Sequence, residues 1–197
     1  MFSCFRKWQH CVALSIIALS ACQTTSVAPM PVSAVPEATV YTIKKGQHST
    51  NAPVKLLTSA VIRFEATFDA SAIYETSIKE NQGDINKLYG MAGCRSDHHS
   101  NSVRFGWRWY NGKLELHAYS YLNKARQSKF VSTIDLNKAY TYEIQLQDNK
   151  YVFTLNGQQV ELPRHCSGTG EGYQLYPYFG GDEPAPHDIT IAIREIL

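Results

Sequence analysis

The dipeptide Asn111-Gly112 lies between two runs that alternate apolar and polar residues, and this pins the fold more tightly than any other feature of the chain. Asn-Gly tolerates the positive φ angles of a type I′ turn, whose twist suits paired strands. A two-residue loop leaves one register, with Tyr110 facing Lys113 and the pairs counting outward. One face then carries Trp109 with Leu114, Trp107 with Leu116, and Phe105 with Ala118. The other carries Arg108 with Glu115, Gly106 with His117, and Arg104 with Tyr119, and Tyr121 extends it. The first face reads as core and the second as a charged, aromatic surface.

The same pattern recurs downstream. Tyr140, Tyr142, Ile144 and Leu146 alternate with polar residues, Asp148-Asn149 turns the chain, and Asn156-Gly157 turns it again. That spacing sets Val160 opposite Phe153 and Leu162 opposite Tyr151. Ile62, Phe64, Ala66 and Phe68 form an earlier one-sided strand, and 188–194 forms a last one. No segment of ten residues holds a helical period, although 77–88 has room for one turn. Twelve tyrosines, eight phenylalanines and three tryptophans favour pleated surfaces. The fold class expected is all-β, a two-sheet antiparallel sandwich. The stretch 140–160, YTYEIQLQDNKYVFTLNGQQV, resembles the paired strands of concanavalin A-like and laminin-G-like domains. The resemblance covers about 56–197 and implies a jelly roll, a fold that often binds or cleaves carbohydrate.

The amino terminus carries a different signal. Arg6 and Lys7 precede an apolar run, 12–19, which is too short to span a bilayer. It ends in Leu19-Ser20-Ala21-Cys22, which resembles the lipobox of bacterial lipoproteins. The resemblance implies cleavage before Cys22 and acylation there, each buried methylene contributing ~0.8 kcal/mol to membrane attachment. Gln23 in place of aspartate favours the outer membrane of the bacterial envelope, periplasmic or surface-facing. The alternative is an ordinary signal peptide with a chance cysteine. The expected organisation is a signal peptide at 1–21, a Pro/Ser/Thr-rich tether at 22–54 and the sandwich at 55–197. Tyr41-Thr42-Ile43 has the makings of a short strand, which would end the tether near residue 40. With Cys4 and Cys11 in the signal and Cys22 acylated, Cys94 and Cys166 are left as a disulfide pair or as two buried thiols.

Function is read from three places. The outer face of the hairpin offers Arg104, Arg108, His117, Tyr119 and Tyr121, with Gly106 leaving room for a ligand. Rings stack on sugars, and arginine pairs with uronate carboxylates. The alternative is a solvated sheet face on which Arg108 merely pairs with Glu115. Second, His98 and His99 follow Cys94 in a loop beside Asp97. They are read as ligand-contacting rather than zinc-binding, for want of a Cys/His cluster at ligand spacing. Third, the stretch 176–188 offers Tyr176 and Tyr178 as stacking rings, and Asp182 with backbone carbonyls as a weak calcium site. No other cofactor is implied.

The expected partners are a glycan or cell-envelope polysaccharide and, through the anchor, a membrane. A net charge of +2 from scattered lysines and arginines argues against nucleic acid. An enzymatic version would make Arg104, His117 and Tyr119 a lyase set for an acidic polysaccharide, similar to that of jelly-roll alginate lyases. Their Arg-x-Glu-Leu-Arg and Gln-Ile-His strands are missing here. No glutamate has an aspartate two residues on, so the carboxylate strand of retaining glucanases is missing too. Binding without cleavage is the leading reading. A protein-interaction module of the envelope is the remaining one.

Overall fold

The computed structural model describes residues 36–196. The expected signal segment, Cys22 and most of the expected tether lie outside them. Two six-stranded antiparallel sheets pack face to face. The first contains β1 (Thr39–Ile43), β3 (Val61–Phe68), β8 (Tyr140–Gln147), β9 (Lys150–Leu155), β10 (Gln158–Pro163) and β12 (Ile189–Glu195), in the order β1-β12-β3-β8-β9-β10. The second contains β2 (Leu56–Ser59), β4 (Asn86–Ala92), β5 (Ser102–Tyr110), β6 (Lys113–Leu122), β7 (Ala125–Ile134) and β11 (Gly170–Leu175), in the order β2-β11-β4-β5-β6-β7. A 3-10 turn at Lys79–Gly83 fills the place where one helical turn was expected.

The hairpin register is the one that the turn dictates. Tyr110 pairs with Lys113, Arg108 with Glu115, Gly106 with His117 and Arg104 with Tyr119. Asn111 and Gly112 have φ of 51° and 70°, and Asn156 and Gly157 repeat this with 51° and 76°. Val160 faces Phe153 and Leu162 faces Tyr151, as the spacing requires. Phe105, Trp107, Leu114, Leu116 and Ala118 are fully buried against Phe64, Tyr142 and Phe153 of the opposite sheet. β1 pairs with β12 along its whole length, so the folded unit takes in 39–43 and the segment read as tether is shorter than 22–54.

Two β-bulges interrupt the second sheet. On β4, Lys87 pairs with Gly106 and Gly90 with Arg104, so three steps match two. Leu88 and Tyr89 both turn inward in consequence. On β7, Ser132 pairs with Leu116 and Phe130 with His117, leaving Val131 as the extra residue, buried in the core. A bulge changes which face later residues occupy. Lys87 and Phe130 therefore stand on the outer face with Arg104 and His117.

Cys94 and Cys166 form a disulfide, with Cα atoms 5.6 Å apart across a sequence separation of 72. It ties the loop after β4 to the β10–β11 connection. Replacing both cysteines by serine is expected to lower unfolding free energy by about 2–4 kcal/mol, measured by denaturant titration against the oxidised parent.

Candidate functional site

The outer face of β4, β5 and β6 divides at Gly106. An added Cβ there would lie 2.4 Å from the Ile85 side chain. The space that the sequence left open opposite His117 is thus occupied by Ile85. This is a correction to the expected open groove, and its cause is the loop before β4, which folds onto the sheet.

On the hairpin side of Ile85 the polar groups satisfy one another. Arg108 Nε donates to Glu115 Oε2 at 2.7 Å and its Nη1 to the Gly83 carbonyl at 2.6 Å. His117 Nε2 lies 3.3 Å from the same carboxylate oxygen. Burial holds the His117 pKa below the usual histidine value, and Glu115 opposes that shift. Arg108 and His117, both named as ligand contacts, are here committed to Glu115. Arg108 thus makes the pair with Glu115 that the alternative reading described, in a half-buried setting.

On the other side the cations have no acid. Arg104 is 6 % exposed, and its Nε is buried without a hydrogen-bond partner. Among the described residues no carboxylate lies within ion-pair distance of Arg104 or Lys87. Both cations lean on one ring instead: Lys87 Nζ is 5.3 Å and Arg104 Cζ 5.9 Å from the Tyr119 centroid. Lys87 Nζ is also 5.6 Å from the Tyr178 ring. Burial, with Arg104 and Arg126 nearby, lowers the Lys87 pKa to about 8, and Asp84 opposes this only weakly. Glycine makes the arrangement possible at two points. A Cβ on Gly90 would lie 2.6 Å from the Arg104 Cα, and one on Gly180 would lie 2.1 Å from Lys87 Nζ.

Two loops complete the rim. In 93–101, Asp97 accepts from the backbone N–H of His99 at 2.9 Å and of Ser100 at 3.0 Å, which closes the turn. The His98 N–H donates to the Tyr173 hydroxyl at 3.2 Å, leaving that hydroxyl's proton free to point at His98 Nδ1, 2.8 Å away. The His99 ring stands perpendicular to Tyr121 at 5.7 Å. Burial lowers the His98 pKa, and His99 and Arg104 add to the shift. The second loop pairs Tyr178 with Lys87 through reciprocal backbone bonds of 2.8 and 2.9 Å. Tyr178 stacks on His48 at 5.5 Å.

The structure thus brings Arg104, Tyr119 and Tyr121 of the hairpin face together with His98, His99 and Tyr178, which the sequence offered as separate candidates, and adds Lys87, Tyr173 and His48. Tyr119 is 1 % exposed, so it is a support under two cations rather than a stacking platform. Burial, with Tyr121 beside it, raises its pKa. Tyr176 is displaced from the expected set. It packs against Tyr41 and Tyr89 at 5.6 and 5.9 Å, at the edge of the core. Asp182 is exposed, and among the described residues no three His, Cys, Asp or Glu side chains group as metal ligands. Lys87 was hidden by its bulge, and the one available signal was a lysine inside an otherwise apolar strand.

No protein-family model matches the chain, and no curated protein matches it in sequence. Solved structures of similar fold include alginate lyase vAL-1 from Chlorella virus, with TM-score 0.52 and 14 % identity over 80 % of this chain and 82 % of that one. Alginate lyase A1-II′, a member of polysaccharide lyase family 7, has TM-score 0.52 and 10 % identity over 79 % and 76 %. Alginate lyase AlyC3 has TM-score 0.52 and 11 % identity over 79 % and 72 %. The likeness is one of fold, a jelly-roll sandwich.

Lys87 supplies a test of this environment. Its pKa in the folded state lies below the unfolded value of about 10.4, so between about pH 8 and 10 the unfolded chain binds the extra proton. The Lys87 contribution to stability therefore rises with pH in that window, by at most ~1.4 kcal/mol per unit. Denaturant unfolding of the parent and Lys87→Met at pH 7.5 and 9.5 is expected to show the parent gaining relative to the variant. Equal pH dependence would contradict the half-buried, unpaired ammonium.

Proposed function

We propose that this domain binds an acidic polysaccharide through the outer face of its second sheet, taking a uronate carboxylate at Arg104 and Lys87. The observation that carries the reading is the pair of cations resting on Tyr119 with no acid to neutralise them. A buried guanidinium without a partner is costly. A carboxylate from outside would restore its charge-assisted hydrogen bonds, and arginine can meet it with two donors. Tyr121, Tyr178 and His99 at the rim are placed to contact sugar rings. The fold is also that of several alginate lyases, proteins named for an acidic polysaccharide.

Cleavage is the second reading. Arg104 would neutralise the carboxylate, and a tyrosine or histidine of the rim would move protons during β-elimination. A hydrolase fits less well, because the Glu115 carboxylate is already engaged by Arg108 and His117. The lipobox-like Cys22 supports attachment to the bacterial outer membrane, with the domain facing envelope polymers.

Calorimetric titration with uronate oligosaccharides and with neutral ones of equal length is the direct test. Arg104→Leu and Lys87→Met are each expected to weaken uronate binding about 10- to 100-fold, in keeping with ~1.5–3 kcal/mol for a hydrogen bond to a charged group. Both variants should keep the parental unfolding transition within a few degrees. Binding unchanged in both would overturn the assignment. Ultraviolet absorbance from an unsaturated uronate product, lost in Arg104→Leu, would replace binding by lyase activity. For the anchor, Cys22→Ala is expected to abolish incorporation of labelled palmitate and to move the protein from the membrane to the soluble fraction.

A further inference from the structure

Phe130 is 53 % exposed on the edge strand β7, and Tyr178 is 37 % exposed beside β4. Neither is required by the core. Both lie in one row that crosses the sheet at right angles to the strands: Phe130 pairs with His117, His117 with Gly106, Gly106 with Lys87, and Lys87 with Tyr178. Four inter-strand steps of about 4.8 Å separate the two rings by roughly 19 Å. Ile85 covers the middle of the row at Gly106, and the Phe130 and His117 rings are 5.8 Å apart. The next row holds Ser128, Tyr119, Arg104 and Gly90. Neither row contains a carboxylate.

The geometry points to a ligand that is a polymer segment several sugars long, lying across the strands. Phe130 and Tyr178 are its terminal stacking platforms, and its acid group falls between them at Lys87 and Arg104. The inference rests on the acidic-polysaccharide reading and adds the ligand's length, its direction and two end subsites. Three observations support it. A β-bulge re-aims Phe130 at one end of the row, at Val131, and another between Lys87 and Gly90 re-aims the cation, where a regular ladder would turn each inward. Each ring is backed by a second ring, Phe130 by His117 and Tyr178 by His48, which holds it in place for stacking. The two rows offer cations and aromatic rings with no acid, which complements a chain with repeated carboxylates and apolar sugar faces. A single sugar would reach the cations and the adjacent Tyr178 ring but not Phe130.

The test is calorimetric titration of the full domain with uronate oligosaccharides from dimer to octamer, for the parent, Phe130→Ala, Phe130→Trp and Tyr178→Ala. Parental affinity is expected to climb with length and then level off once both rings are covered. Phe130→Ala should lose about 3- to 10-fold on the octamer and leave dimer affinity unchanged, whereas Tyr178→Ala, beside Lys87, should lose affinity at every length. Phe130→Trp should retain octamer affinity. Phe130 is exposed, so its thermal transition serves as the folding control. A dimer that binds as tightly as the octamer, or a loss in Phe130→Ala that is equal at every length, would overturn the row while leaving the Arg104–Lys87 assignment standing. If no uronate oligosaccharide binds at any length, the acidic-polysaccharide reading fails and takes the row with it.

Discussion

Phe105 stands edge-on to three rings of the facing sheet, with centroids 6.2 Å from Phe64, 5.0 Å from Tyr142 and 5.1 Å from Phe153. Such contacts add about 0.5–1.5 kcal/mol each beyond the area they bury. They also fix orientation. With Phe105 locked inward, the period of two leaves Arg104 and Gly106 no choice but the outer face. The cost of an unpaired guanidinium at Arg104 is thus borne by a core that has no alternative register. The site exists because the core forbids the chain from slipping by one residue.

What separates the two halves of the outer face is whether a charge finds its partner within the protein. Arg108, Glu115 and His117 close on themselves, and the 3-10 turn supplies the carbonyl that completes Arg108. Arg104 and Lys87, a few residues away, meet aromatic faces instead, both on Tyr119 and Lys87 also on Tyr178. A ring face attracts a cation by its quadrupole but accepts none of its hydrogen bonds. The difference between paired and unpaired charge on this sheet is therefore one of satisfaction, not of residue type.

Much of this was legible in the sequence because it is local. The type I′ turns at Asn111-Gly112 and Asn156-Gly157 set register by themselves, and alternation then named the core. Counting left Cys94 and Cys166 as a disulfide or as two buried thiols, and the structure joins them. The unreadable parts depend on contacts between distant segments. Bulges have no composition of their own, so Lys87 and Phe130 could not be assigned a face from alternation. Ile85 folding over Gly106, and Tyr176 turning to Tyr41 and Tyr89 while Tyr178 turns to Lys87, are decided by tertiary packing. The β1–β12 pairing was half visible in Tyr41-Thr42-Ile43, because a strand flanked by tether-like composition has few local cues.

The bulge at Val131 has a colloidal consequence as well. An edge strand that bears an exposed phenylalanine is an invitation to another chain's strand. β7 declines it in two ways: the bulge breaks the regular spacing of its free backbone groups, and Lys129 reaches across to the Glu161 carbonyl at 3.0 Å. A positive charge beside Phe130 and an irregular edge let the domain keep a sticky ring in the open without polymerising through it.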